Sequence, residues 1–221
     1  MSISPKLKLY EAFAVIGRAL GNAHRLDILE HLAQGERGVE ALAEKLGLST
    51  ANTSQHLQQL KHAGLVESRR QGKFILYRLS DENVQRLLNA LFAVGERNLA
   101  EVDKVLRDYF QARDAMEPVS PDELIARSRE GLVTVLDVRP RDEFAAEHLP
   151  GAVNIPLSEL QQRLSELDPE KEVVAYCRGP YCVLSFEAVA RLRDHGLRAR
   201  RLSEGLPEWR LEGLPVESGT E

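Results

Sequence analysis

Both cysteines of the 221-residue chain lie five positions apart in "YCRGPYCVLSFE", residues 176–187, around an Arg-Gly-Pro-Tyr bend. Cys177 ends an apolar, strand-like run, EVVAYC, and the bend opens into a helical pattern. A thiol at a strand end, ahead of a helix N-terminus, sits among outward backbone N–H groups and the positive end of the helix dipole. Those groups lower its pKa and hold an anion. This is the setting of a nucleophilic thiolate. Gly179 and Pro180 make the bend, and Arg178 is its one charged side chain. Other cysteine chemistries need neighbours that are missing. Structural zinc wants four ligands, and the chain offers one cysteine pair with no histidine nearby. A thioredoxin-type motif has two intervening residues where this one has four. A cysteine phosphatase needs an arginine six positions after its nucleophile, and that position is Val183. Buried structural cysteine stays open as an alternative for Cys182.

A second constellation lies upstream. On a helical wheel of residues 50–63, Thr53, Leu57 and Leu60 fall on one side, with His56 at its margin as a packed, hydrogen-bonded residue. Ala51, Gln55, Gln58 and His62 face the other way, flanked by Asn52, Ser54 and Gln59. No carboxylate occurs from Leu48 to Val66. A solvated helix face normally carries Glu and Lys, whereas Asn and Gln pair with an adenine edge and hydroxyls reach bases or phosphates. Ser49, Thr50, Asn52, Ser54, Gln55 and Gln58 are therefore candidate DNA contacts. The run SRRQGK adds Arg69, Arg70 and Lys73 around a glycine turn, suited to gripping phosphate. A charged edge that discourages strand aggregation is the blander reading.

These residues need elements to hold them. The first half is mostly helical, with Leu26, Leu29 and Leu32 at helical spacing. Ser49 caps the 50–63 helix, Gly47 and Gly64 mark turns, and two β-rich runs join at Gln71-Gly72. Helix, turn, helix, hairpin is the order of a winged helix-turn-helix. An apolar stripe (Val84, Leu87, Leu88, Leu91, Leu99, Val102, Val105, Leu106, Tyr109) then predicts a helix over 81–110, with Gly95 as a kink point. Such a helix is too long for one small domain to cover, so a partner chain is expected. The joint is placed at "MEPVSPDEL", where Ser120, Pro121 and Glu123 start a new helix with a capping box. Beyond it VTVLDV, EVVAYC and RARRL alternate with helical DELIARSRE, LSELQQRLSEL and CVLSFEAVARLRDHG, the pattern of a parallel α/β sheet. Domains of 1–116 and 117–221 follow, carrying net charges of +2 and −7. The N-terminus has no sustained apolar run and no cleavage pattern, so a cytoplasmic protein without membrane contact is expected.

The stretches ALGNAHRLDIL, SQHLQQLKHAGLV and GKFILYRLS, within residues 17–80, resemble the ArsR family of bacterial winged-helix repressors. The resemblance implies a homodimer on an inverted-repeat operator in double-stranded DNA, released by an effector. Metal-sensing members carry cysteines before the recognition helix or Asp/His ligands on the dimer helix. GVEALAEKLG has no cysteine, and residues 81–110 have neither Cys nor His, so no metal is expected.

The stretches Val135–Leu160 (with Phe144-x3-His148-Leu-Pro-Gly-Ala), the cysteine loop and Gly205–Glu217 resemble the rhodanese domain over residues 119–217. That resemblance implies an α/β domain in which Cys177 accepts sulfane sulfur from a donor as a persulfide and passes it to a thiol acceptor. It makes Arg178, Gly179, Pro180, Tyr181 and Cys182 the anion cradle. Asp137 and Arg139 match the family's strand-end pair and read as scaffolding, with His148 structural and Trp209 in the core. Cys182 stands where simple rhodaneses commonly have a hydroxyl or basic residue, and this second thiol is placed to resolve a modified Cys177. The expectation is a sulfur-responsive DNA-binding regulator, without cofactor, built as a winged helix-turn-helix followed by a rhodanese-like domain. The competing readings are a sulfurtransferase whose first domain is a tether or dimeriser, and a repressor with a silent rhodanese module.

Overall fold

The computed structural model describes residues 4–111 and 116–219. Its contacts divide the chain into two units, Met1–Asn89 and Ala90–Glu221. The expected joint between 116 and 117 falls inside the second of these; residues 112–115, just before it, lie outside the described residues.

The first unit runs α1 (Pro5–Leu20), α2 (Ala23–Ala33), β1 (Arg37–Gly38), α3 (Val39–Leu46), α4 (Thr50–His62), β2 (Val66–Gln71) and β3 (Phe74–Leu79). Gly47 ends α3 with φ +64°, a left-handed turn that glycine adopts without steric penalty. Ser49 then starts α4 by accepting the Asn52 N–H at 3.2 Å. The strands form an antiparallel sheet in the order β1-β3-β2. The β2–β3 turn is Gly72-Lys73, one residue beyond the expected Gln71-Gly72, because Gln71 still pairs with Phe74. Gly72 has φ +62°, as the first residue of a II′ hairpin turn requires. Ile28, Leu29, Leu42, Leu57, Leu60 and Leu88 are buried at the centre.

The 81–110 helix is not continuous. Helix α5 (Glu82–Asn98) stops at Leu99, which is extended (φ −108°, ψ 109°), and α6 (Ala100–Val105) leads into a wide π-type turn over Leu106–Gln111. The break falls at Leu99 and not at Gly95. Asn98 turns its side-chain amide onto the Val94 carbonyl at 2.8 Å, the local competition by which Asn disfavours helix interiors. Leu87, Leu91, Val94, Leu99 and Val105 are left exposed, as are Leu7, Leu9, Tyr10 and Phe13 of α1.

The second unit continues with α7 (Pro121–Arg129), β4 (Val133–Asp137), α8 (Arg141–Ala146), β5 (Val153–Asn154), β6 (Glu172–Tyr176), α9 (Val183–Asp194), β7 (Ala199–Arg201) and α10 (Leu206–Leu211). Its sheet is parallel, in the order β5-β4-β6-β7. Strand alternation sorts side chains between two cores. Val173, Ala175 and Cys177 join Leu136, Val138, Ala188 and Leu192 on one face. Val174 and Tyr176 join Val133, Val135, Phe144 and Trp209 on the other. Ser120 caps α7 by accepting the Glu123 N–H at 3.2 Å. The reciprocal half of the expected box is not made, since Glu123 binds Arg127 and Arg200 instead. The helix expected over LSELQQRLSEL is two 3₁₀ turns, Leu160–Gln162 and Leu164–Glu166. Arg163 between them donates to the Asn154 carbonyl and to Glu159 and Glu166, which fixes the tighter winding.

Candidate functional site

At the carboxyl end of β6 the chain turns through Cys177–Cys182 into α9, the position where open α/β sheets place their ligand sites. Cys177 and Cys182 are joined in a disulfide with their α-carbons 6.1 Å apart, inside the range a bridge needs. Both are buried, at 1% and 6% exposure. The Gly179 carbonyl accepts the Cys182 N–H at 3.1 Å, closing the bend, and the Cys182 carbonyl accepts the Ser185 hydroxyl at 3.0 Å. Tyr181 is half-buried, meets Phe92 edge-on at 5.7 Å and hydrogen-bonds Glu96. Burial and that bond push its hydroxyl pKa well up, so it stays a donor.

Beneath the loop lies a buried polar network. Arg139 donates from Nε to Asp137 Oδ1 at 3.0 Å, from Nη2 to Asp137 Oδ2 at 2.6 Å and to the Glu147 carbonyl at 2.7 Å. The Tyr176 hydroxyl donates to Asp137 Oδ2 at 2.5 Å and accepts the Leu149 N–H at 3.1 Å. Burial, then the Asp137 charge, raises the Tyr176 pKa, so the phenol remains protonated. Asn154 bridges the Asp137 and Arg139 carbonyls at 3.0 Å each. Asp137 and Arg139 thus pair with each other, and the pair locks the strand end. His148 is buried, stacked on Phe144 with centroids 3.8 Å apart, and Trp209 is buried with its Nε1 donating to Pro215.

Two residues not singled out from the sequence touch the loop. Glu143, fully buried in α8, takes both Nε and Nη2 of Arg178 at 2.9 Å. Gly205 packs against the peptide between Arg178 and Gly179, where a Cβ would overlap the Arg178 carbonyl and the Gly179 nitrogen. Gly205→Ala is therefore expected to push the loop aside, destabilising the fold by about 1–3 kcal/mol. Thermal unfolding of the variant checks this, and an unchanged melting temperature contradicts the packing.

In the first unit the outward residues of α4 are where the wheel puts them. Asn52, Gln55, Gln58 and His62 are exposed, Ser54 is half-buried, and Thr53, Leu57 and Leu60 are buried. Ser49 and Thr50 lie exposed at the start of the helix. Gln59 is held by Arg25, whose Nη1 donates to its Oε1 at 2.6 Å while Nη2 bonds the Arg18 carbonyl at 2.9 Å. The sequence does not mark Arg25, because a charge within an apolar stripe reads as solvated and its partner lies 34 residues away. His56 is packed as expected, but its Nδ1 is buried without a hydrogen bond among the described residues. Burial, then the Arg25 and His24 charges, lowers its pKa and keeps it neutral. On the wing, Arg69 forms a fork with Glu36 at 2.5–3.0 Å, Arg70 donates to the Gly72 carbonyl at 3.0 Å, and Lys73 lies over the Phe74 ring at 5.3 Å. Among the described residues Arg70 and Lys73 form no ion pair with a carboxylate, whereas Arg69 does.

Residues 120–212 match the rhodanese-like domain family, and residues 22–68 match the arsR family of bacterial regulatory proteins. An HTH-type transcriptional regulator of Mycobacterium tuberculosis, Rv0324, is 45% identical over 97% of this chain and 94% of its own length. A biofilm growth-associated repressor of Agrobacterium fabrum is 40% identical over 37% of this chain and 69% of its own. A solution structure from Mycobacterium bovis, described as the homodimeric winged helix-turn-helix DNA-binding domain of a possible ArsR-family regulator, is 42% identical. It covers 45% of this chain and 92% of that one, with a TM-score of 0.42.

Proposed function

The chain belongs to the ArsR family of bacterial transcriptional regulators and carries a rhodanese-like domain behind the DNA-binding one, and from that premise we propose a repressor whose DNA affinity is set by sulfur chemistry at Cys177. The observation that carries this is the bridged pair Cys177–Cys182 in a buried loop at the sheet's carboxyl end. The Cys177 thiolate attacks the outer sulfur of a hydropersulfide R–S–SH; a Cys177–S–SH bond forms and RS⁻ leaves. The Cys182 thiolate then attacks Cys177 Sγ, the disulfide forms and HS⁻ departs. A cellular thiol (2 RSH to RSSR) returns both cysteines to the reduced state. Redox sensing and sulfur sensing converge on the same bridge.

Transmission has a physical candidate in Tyr181, which sits inside the loop and holds Phe92 and Glu96 of α5. Rearranging the loop moves Tyr181, and α5, which begins at Glu82, buries its own Val84 and Leu88. The exposed apolar residues of α1 and α5 support a homodimer, which an inverted-repeat operator requires. The functional division is placed at 1–116 and 117–221, and the cytoplasm is the proposed compartment. Among the described residues no helix is long and apolar enough to cross a membrane. Sulfur transfer as the main task is the second reading; the exposed Asn52, Gln55 and Gln58 on a helix without carboxylates favour the first.

DNA contact is tested by substitution. Gln55→Ala is expected to relax base preference at one operator position, a loss of about 1–3 kcal/mol there. Arg70→Ala should weaken binding to all sequences alike and reduce the salt slope by about one. Arg69→Ala, already neutralised by Glu36, should change the slope less. Equal affinity of the wild-type protein for selected and random DNA overturns the regulator reading.

A further inference from the structure

The cysteine loop's one cation is already occupied. Arg178 gives Nε and Nη2 to the two oxygens of Glu143, which is fully buried and cannot turn away to water. More carboxylates lie alongside. Glu208 accepts the Gly205 N–H at 3.0 Å and approaches Gly179, where a Cβ would lie 4.0 Å from its Oε2. Glu204, next to the glycine packed on the loop, has a buried Oε2 with no hydrogen-bond partner among the described residues. Leu184, two residues past Cys182, walls a groove of about 360 Å³ together with Val138, Pro140, Pro156 and Leu157. Its rim cation, Arg191, bonds Leu157 and Glu187.

Such surroundings separate two classes of sulfur donor. Thiosulfate brings two negative charges and must release sulfite, also a dianion: Cys177–S⁻ and S₂O₃²⁻ give Cys177–S–S⁻ and SO₃²⁻. A hydropersulfide R–S–SH gives Cys177–S–SH and releases a single thiolate, with R free to lie on an apolar wall. We infer that Glu143 is a specificity-determining residue, which cancels the Arg178 charge so that the loop takes sulfur from hydropersulfides and rejects thiosulfate. The inference rests on Cys177 being the sulfur acceptor, as proposed above.

The test is mass spectrometry of the reduced, desalted full-length protein, timed after addition of either thiosulfate or cysteine hydropersulfide. Hydropersulfide is expected to add sulfur to the wild type at least about tenfold faster than thiosulfate does, because the carboxylates near the loop repel the thiosulfate dianion through low dielectric. Glu143→Gln, of the same shape, should free Arg178 and narrow that ratio at least about fivefold by accelerating thiosulfate. Equal loading of the wild type by both donors overturns the inference while leaving Cys177 as acceptor, and this comparison needs no variant to fold. A wild-type preference that Glu143→Gln and Arg178→Gln both leave unchanged removes the role from Glu143. Failure of both donors to add sulfur, with Cys177 still alkylated by iodoacetamide, overturns the acceptor reading itself.

Discussion

Cys177→Ser is expected to lose sulfane-sulfur loading by about a thousandfold or more, because no other side chain in the loop supplies a comparable nucleophile in its place. Cys182 is a thiol at the N-cap of α9, and its proposed step is attack on Cys177 Sγ, not on the donor. A hydroxyl at 177 nearly retains the size of the side chain and removes the attacking sulfur. The disulfide also becomes impossible, so both steps of the proposed cycle stop together. Mass spectrometry after hydropersulfide treatment reads the first step, and non-reducing peptide mapping reads the second. A variant that still gains sulfur at the wild-type rate would show that another atom is the acceptor.

Asp137→Ala has the larger expected effect on stability. Asp137 and Arg139 are each fully buried, and removing the carboxylate strands a guanidinium that reaches no solvent. Breaking such a pair costs about 3–5 kcal/mol, more than the pair itself contributes. The Tyr176 hydroxyl loses its acceptor at the same time. In a domain of this size that corresponds to a fall in melting temperature of more than about 10 °C. Tyr176→Phe, which removes the two hydrogen bonds of the phenol and leaves the ion pair intact, should cost less, about 2 kcal/mol. Calorimetry of the two variants compares them directly. Equal, small losses would mean that the network does not hold the strand end.

Much of this was legible in residue order. A carboxylate-free run from Leu48 to Val66 exposes its amides because Thr53, Leu57 and Leu60 claim the opposite side at helical spacing. The position of Cys177 follows from the apolar run Val173–Tyr176 with a bend after it, which is local information. Strand alternation even sorts Cys177 and Tyr176 onto opposite faces. What could not be read was set by distant partners. Glu143 and Arg178 are 35 residues apart, and nothing in "RDEFAA" distinguishes a buried carboxylate from its solvated neighbours. The Arg69–Glu36 fork joins residues 33 apart that only the sheet brings together. The 160–166 segment carries helical periodicity, yet three contacts of Arg163 override it. The end of α5 at Leu99 has no proline or glycine to announce it.

The central proposal is that chemistry at the cysteine loop changes the affinity of the same chain for DNA. Tyr181 gives it a physical route, through Phe92 and Glu96 into α5, and a useful switch needs a coupling of about 1–3 kcal/mol. The most direct measurement is a fluorescence-anisotropy titration of full-length protein against an operator that it has selected from a random pool. It is run once with both cysteines reduced and once with the 177–182 bridge closed by polysulfide. The two dissociation constants should differ by about 5-fold to 150-fold, and the difference should vanish in Cys177→Ser. Identical dissociation constants for the reduced and bridged wild-type protein would contradict the coupling outright.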